Sequence, residues 1–187
     1  MKKNKPFRLI GNFFIMGGII LLAYIYYPLI SANFFPQNGQ PITSKSKDFT
    51  IQIPKINVNS KVIENVDPFS EIEYKSALRQ GVAHAKNTSF PGYSGMIFLF
   101  AHSSGPPWEQ TRNNTIFLKL GKVEQGDRII LYRKGEKFSY VVREKKEVWP
   151  SEVNYLLDNT GNELILQTCT PVGTDLKRLL VFAGIEK

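Results

Sequence analysis

The only cysteine of this chain, Cys169, lies where an apolar strand gives way to a loop. An apolar run of strand length, 164–166, precedes it, and Pro171 and Gly173 prevent regular pairing soon afterwards. A second apolar strand begins beside Arg178. A nearby permanent cation favours the nucleophilic thiolate and offers donors to a developing oxyanion. The pattern suits acyl transfer, although a lone cysteine is more often a small buried hydrophobic residue.

Such a thiol needs a proton donor and acceptor, and the chain offers two histidines, His84 and His102. His102 follows a strongly apolar segment and precedes a loop, so its side chain would emerge at a strand end, where catalytic groups are common. His84 also follows a short apolar segment. Either one could instead be a hydrogen-bonded structural histidine, and position alone leaves both open.

The segments around these residues together resemble the sortases, a family of cysteine transpeptidases that anchor proteins at bacterial surfaces. Residues 166–171, a short loop and residues 178–181 are similar to the end of a sortase domain. Residues 95–102 resemble the family's strand that ends in the catalytic histidine, and residues 53–56 resemble its first barrel strand. The resemblance spans residue 49 to the C-terminus and favours His102 over His84.

The resemblance implies three catalytic roles. Cys169 would be the nucleophile, His102 the acid and base that protonates the leaving amine, and Arg178 the donor to substrate and oxyanion. For Arg178 the ordinary alternative is a surface cation at the start of a strand. Together the roles imply cleavage of a C-terminal sorting signal of the Leu-Pro-x-Thr-Gly type, with the resulting thioester resolved by an amine of a cell-wall precursor or a pilin.

Three further residues are candidates for contact with substrate. Thr168 precedes the cysteine, Ala101 occupies a position where sortases commonly have glycine, and Trp108 follows in the loop after His102. A threonine in a strand needs no function, and packing is the commoner use of a tryptophan. No cofactor is predicted, and the sequence leaves calcium activation open. One cysteine and two histidines without clustered carboxylates do not make a zinc site.

The pattern after residue 47 predicts a mainly β domain. Many short alternating segments with sparse helix indicate a barrel or sandwich, and the resemblance implies a single closed eight-stranded β-barrel with a few short helices. A helix is expected from Asp67 as N-cap, with Pro68 at its first position, to about Ala77. A strand break or hairpin is expected around Asn59, a tight hairpin connection at 133–136, and helical turns near 115–120 and 151–157. Strands are expected near 79–83, 95–101, 128–133, 138–149, 163–169 and 178–185.

The N-terminus predicts a membrane anchor. Residues 1–8 form a basic tail, and residues 9–30 pass without a charge, more than the roughly 20 residues that span a bilayer core. A cleaved signal peptide would have a shorter apolar region, and a buried core helix is the other alternative. The positive-inside rule keeps the tail cytoplasmic, so the domain at 48–187 would lie outside a bacterial cell, tethered by a polar linker at 31–47.

Charge argues against a nucleic-acid partner. The formal net charge is +8, but four of these charges belong to the basic tail, and the remaining cations are scattered or alternate with anions as on a solvated strand face. Two other classes of function remain alternatives to the sortase interpretation. One is a non-catalytic, membrane-tethered β-domain that binds envelope polymers, and the other is a cysteine peptidase that hydrolyses its substrate without transfer.

Overall fold

A closed barrel of eight strands makes up the globular part of the protein, as predicted. The computed structural model describes residues 5–34, 48–104, 115–153 and 161–186. The strands are β1 (Thr50–Ile53), β2 (Val58–Val66), β3 (Val82–Ala85), β4 (Ile97–Phe100), β5 (Arg128–Arg133), β6 (Glu136–Val148), β7 (Glu163–Thr170) and β8 (Lys177–Ile185). The helices are α1 (Lys5–Phe34) and α2 (Glu71–Leu78), with short 3₁₀ helices at Pro54–Ile56 and Leu120–Lys122.

The barrel order is β1-β2-β3-β4-β7-β8-β6-β5, and β5 pairs with β1 to close it. Most neighbours are antiparallel, but β2 pairs with β3 and β4 pairs with β7 in parallel. The predicted connection between β5 and β6 is present, because Lys134 (φ 54°) and Gly135 (φ 85°) adopt the left-handed backbone that tight hairpins need.

The barrel interior is filled by aliphatic and aromatic side chains. Every residue of β4 is buried, and Leu164, Ile165 and Leu166 of β7 are buried in succession rather than alternately. Continuous burial is typical of a strand that is covered on both faces. The two strands that lead to His102 and Cys169 are therefore among the most enclosed parts of the fold.

Helix α2 begins later than predicted, at Glu71 rather than after Asp67. The Asp67 carboxylate does not cap the helix; its Oδ1 accepts a hydrogen bond from the Phe69 N–H at 2.9 Å. This local turn competes with helix formation, so Pro68 lies in the turn instead of the first helical position. Ser70 occupies the N-cap position without a side-chain hydrogen bond.

The boundaries of several other elements also differ from those predicted. The turn between β1 and β2 is made by the 3₁₀ helix and Asn57 (φ 54°), not by Asn59. Strand β3 starts at Val82 rather than at Arg79, and Gly81 before it packs so closely on the Lys61 carbonyl of β2 that a Cβ would lie 2.3 Å from its oxygen. The helical turn expected near 115–120 is regular only at Leu120–Lys122. Most of the turn expected at 151–157 lies outside the described residues.

Helix α1 carries the apolar segment expected at the N-terminus. Leu9–Tyr27 has a mean hydropathy of 2.0, and none of it is buried in the protein. It is long and apolar enough to cross a membrane, since a span needs about 20 residues. The boundaries predicted for the tail, span, linker and domain stay predictions.

Candidate active site

Three strands bring the predicted catalytic residues together. In the antiparallel pair of β7 and β8, Cys169 lies directly opposite Arg178. In the parallel pair of β4 and β7, Phe100 is level with Gln167, and the Ala101 N–H continues the pairing by donating to the Gln167 carbonyl at 3.1 Å. His102 therefore leaves β4 at the same end of the barrel where Cys169 ends β7.

One groove of about 860 Å³ contains all three side chains. Its other walls come from α2 and from the loop between β7 and β8, which the sequence did not predict as parts of the site. The apolar lining includes Tyr74, Leu78, Phe98 and Phe100, and the polar lining includes Ser104, Gln167, Thr174 and Asp175. An extended peptide could lie along the apolar part with a carbonyl presented to the thiol.

The Cys169 thiol is half-buried at the groove. Burial raises the pKa of Cys169 above its ordinary value of 9.0, Arg178 opposes this effect, and Asp175 adds to it. The cation therefore acts in the predicted direction but is outweighed by desolvation, which disfavours a charged sulfur. In the unliganded groove at neutral pH, Cys169 is mainly a thiol.

The His102 imidazole is neutral in the same state. Burial and then the charge of Lys75 lower the pKa of His102 from its ordinary 6.5. Its backbone is anchored, because the His102 carbonyl accepts from the Phe117 N–H at 3.2 Å. Its ring forms no hydrogen bond with the residues that the structure describes.

The Arg178 guanidinium is oriented by the backbone of its own loop. Its Nη1 donates to the Asp175 carbonyl at 2.8 Å and to the Lys177 carbonyl at 3.3 Å. Nε and Nη2 form no hydrogen bond with any residue in the described ranges. A guanidinium fixed at one nitrogen and open at the others can direct donors at a carbonyl oxygen in the groove.

Thr168 and Ala101 both line the groove, and their contact with substrate stays a prediction. The Thr168 hydroxyl is buried and donates to the Ala101 carbonyl at 2.8 Å. That bond joins the residue before the cysteine to the residue before the histidine. Thr168 thus positions the two catalytic strands. The third candidate, Trp108, lies outside the described residues.

A second link across the groove was not predicted. The Ser104 hydroxyl accepts a hydrogen bond from the Gly173 N–H at 2.8 Å, and Gly173 has a φ of +86°. It ties the loop after His102 to the loop after Cys169. The glycine and proline in the second loop signalled a turn, but no local signal identifies a partner so distant in sequence.

His84, the other histidine considered, is fully buried in β3. Its Nδ1 accepts from the Asn65 N–H at 3.3 Å, so Nε2 carries the proton and donates to the Ser89 carbonyl at 2.9 Å. Its ring stacks on Phe90 with a centroid separation of 4.3 Å. These contacts are those of a structural histidine. Among the described residues, no group of three His, Cys, Asp or Glu side chains could hold a metal ion.

Comparison with known proteins places this site in a family. The model of the sortase domain matches residues 51–186, and the chain belongs to the sortase family. It is 29% identical to sortase D of Bacillus subtilis (strain 168) over 81% of this chain and 67% of that protein. It is 24% identical to sortase A of Bacillus anthracis over 70% of this chain and 56% of that protein.

A solved structure shares the fold. The crystal structure of sortase C1 from Streptococcus suis superposes with a TM-score of 0.63 at 29% identity, covering 76% of this chain and 74% of that chain. Sortases are cysteine transpeptidases, so the family fits a site built around one thiol. The three relatives carry the names of three different sortase classes, and the subclass of this chain stays open.

Proposed function

We propose that this protein is a membrane-anchored sortase that cleaves a sorting signal of the Leu-Pro-x-Thr-Gly type and transfers the resulting acyl group to an amine of the cell envelope. One observation carries the proposal: Cys169, His102 and Arg178 line a single groove, although His102 is remote from the other two in sequence.

In the first half-reaction the Cys169 proton moves to His102, and the thiolate attacks the carbonyl between the threonine and glycine of the signal. Nε and Nη2 of Arg178 stabilise the oxyanion. The intermediate collapses as the C–N bond breaks, and the His102 imidazolium gives its proton to the leaving amine. The products are a thioester on Cys169 and a neutral imidazole.

The second half-reaction runs in the reverse sense with a different amine. The amine nitrogen attacks the thioester carbonyl, its proton passes to His102, and the C–S bond electrons return to Cys169. The acceptor class is a primary amine of a cell-wall precursor peptide or a pilin. Helix α1 would hold the domain outside the membrane, close to both substrates, with the N-terminus in the cytoplasm.

Mass spectrometry of full-length protein in detergent tests the reaction. The protein is mixed with a peptide containing Leu-Pro-Glu-Thr-Gly and with a primary amine, and the expected product is a peptide whose threonine carbonyl is joined to that amine. A hydroxamate should form when hydroxylamine replaces the amine, and Cys169→Ala should yield neither product. Hydrolysed peptide alone would favour a peptidase, and unchanged peptide would favour the binding module.

Protease accessibility tests the placement. Proteinase added to intact cells should remove the domain and spare an N-terminal fragment, because the basic tail before α1 favours a cytoplasmic N-terminus. Protection of residues 48–187 would contradict this topology.

A further inference from the structure

Asp175 is an exposed acidic residue of the groove. Its side chain is exposed and lines the same groove as Cys169, His102 and Arg178. Most acidic side chains of the barrel are engaged: six glutamates form ion pairs, and Asp67 and Asp127 accept backbone hydrogen bonds. Within the described residues, the carboxylate of Asp175 has neither kind of partner.

The backbone around Asp175 is fixed on both sides. Arg178 Nη1 donates to the Asp175 carbonyl at 2.8 Å, and Arg178 is itself in register with Cys169. Upstream, the Thr174 hydroxyl donates to the Pro171 carbonyl at 2.8 Å, and Gly173 is bonded to Ser104. The backbone of Asp175 is therefore positioned relative to Cys169 by the same contacts that hold Arg178 and the loop between β7 and β8.

This negative charge works against the nucleophile. Asp175 raises the pKa of Cys169, whereas Arg178 lowers it. A neutral residue at this position would disfavour the Cys169 thiolate less than the carboxylate does. The carboxylate is suited to a cation that arrives from solvent, since opposite charges attract in a groove that is partly shielded from water.

We propose that Asp175 binds the amine acceptor in its ammonium form and holds it beside the thioester on Cys169. The inference rests on the proposed transpeptidase function. Its ligand class is a primary ammonium with an accessible –NH₃⁺, which can come from a peptide's free α-amino group or from a lysine side chain. A carboxylate accepts charge-assisted hydrogen bonds from either.

The transfer step balances without another reactant. The bound ammonium releases one proton to water and becomes a neutral amine. Its nitrogen lone pair forms the new amide bond, the C–S electron pair returns to the Cys169 sulfur, and the second nitrogen proton passes to the His102 imidazole. Asp175 remains a carboxylate throughout, so its contribution is to raise the local concentration of acceptor.

Competition between two nucleophiles tests the proposal on full-length protein. The Leu-Pro-Glu-Thr-Gly peptide forms the thioester, which is then divided between hydroxylamine, uncharged at pH 7, and a cationic amine. One arm uses triglycine as the α-amine and the other uses Nα-acetyl-lysine amide as the ε-amine. The wild-type ratio of the amine product to the hydroxamate is the reference, and the arm with the higher ratio identifies the preferred source.

Asp175→Asn should lower that ratio about 2- to 5-fold in the preferred arm, through a higher KM for the amine, because an ion pair at an exposed carboxylate contributes up to about 1 kcal/mol. Asp175→Glu keeps the charge and should recover part of the ratio. Glu136→Gln removes an equal charge on the β5–β6 hairpin, outside the groove, and should leave the ratio at the wild-type value.

Two outcomes overturn the proposal. An unchanged ratio in Asp175→Asn would show that the carboxylate does not select the acceptor, and an equal fall of amine product and hydroxamate would assign it to loop structure or acylation. Both differ from failure of the proposed function, in which the wild-type protein itself gives no hydroxamate.

Discussion

The surroundings of His84 and His102 differ sharply, although His84 lies in β3 and His102 follows the end of the neighbouring antiparallel strand β4. His84 is enclosed in β3, both its ring nitrogens are bonded, and its ring stacks on Phe90. Beyond Phe90 lies the Arg133 guanidinium, 3.8 Å from the ring centroid, which Glu64 holds by an ion pair at 3.0 Å. His102 lines an open groove, and its ring has no hydrogen bond within the described structure.

The difference shows what makes a histidine available for proton transfer. A ring whose two nitrogens are both bonded to the backbone cannot exchange its proton without losing a buried hydrogen bond. A ring that faces a groove can gain and lose a proton as substrate arrives. We therefore expect substitution of His102 to change turnover and substitution of His84 to change stability.

Removing the imidazole from the groove should have the largest effect on turnover. His102→Ala is expected to lower kcat/KM by about 10²–10⁴, the usual contribution of general acid–base catalysis. Steady-state transfer to a primary amine measures this, and the melting temperature should stay near the wild-type value. A full loss of folding would mean that His102 is as structural as His84.

Arg178→Lys should have the next largest effect on turnover, and it distinguishes the planar geometry of the guanidinium from its positive charge. Lysine keeps the cation but loses the planar fork, so kcat should fall about 10²–10³ if the guanidinium stabilises the oxyanion. Lys177→Ala is the control, because Lys177 pairs with Glu147 and stacks on Trp149 outside the groove. Near-full transfer by Arg178→Lys would reduce Arg178 to a source of positive charge.

The pH dependence of kcat/KM should report the pKa values of Cys169 and His102. In the proposed mechanism, the active state carries one proton on the pair of Cys169 and His102. We therefore expect kcat/KM to fall about tenfold per pH unit below the lowered pKa of His102, and by the same factor above the raised pKa of Cys169. The plateau should therefore extend below pH 6.5 and above pH 9.0. Lys75→Met removes a charge that lowers the pKa of His102, and should move the acidic limb to higher pH. Lys61→Met, on β2, should not.

Thr168 should have a smaller effect. Thr168→Val leaves the Ala101 carbonyl without its donor, and we expect kcat/KM to fall about 5- to 30-fold, corresponding to about 1–2 kcal/mol. Thr168→Ser restores the hydroxyl and should recover most of the activity. If kcat/KM of Thr168→Ser is as low as that of Thr168→Val, the role of Thr168 is packing rather than hydrogen bonding.

His84 should have the smallest effect on turnover and a large one on stability. His84→Ala removes a fully buried ring and leaves the Asn65 N–H unpaired, so the free energy of unfolding should drop by about 2–4 kcal/mol while the folded fraction keeps its turnover. Urea denaturation checks the first part. If His84→Ala folds normally but transfers slowly, His84 contributes to turnover and does not differ from His102 in the expected way.

His84 also predicts the sign of a pH effect on stability. Burial lowers the pKa of folded His84 below the ordinary 6.5 of an unfolded histidine. The unfolded state therefore takes up more protons as pH falls below 6.5, so this stabilising contribution is present above that value and is lost as pH falls through the folded pKa. Replacing His84 should weaken this part of the pH dependence.

Local signals predicted the parts of the site that depend on strand ends. Cys169, His102 and Arg178 stand next to apolar runs bounded by proline, glycine or polar residues, and such runs mark strands that terminate. The tight turn at Lys134 and Gly135 was predicted in the same way. The closed eight-stranded barrel is confirmed, although it was implied by family resemblance rather than by the residues.

The rest of the site depends on pairings that no local pattern records. The parallel register of β4 with β7 brings Thr168 to Ala101 and the loop with Ser104 towards Gly173. The start of α2 was predicted too early because the Asp67 side chain accepts a hydrogen bond from the Phe69 N–H in a turn, and the helix begins only at Glu71. Asp175 was overlooked because an exposed aspartate in a loop has no distinguishing sequence signal.

The parallel pairing of β4 with β7 also affects when the enzyme can become active. Parallel neighbours need a long crossover, and the entropy of closing that loop must be overcome before the pair contributes stability. Until it forms, Cys169 has no imidazole within reach and reacts as an ordinary thiol. Under the proposed function, the chain would thus remain unable to form the thioester until its barrel has closed.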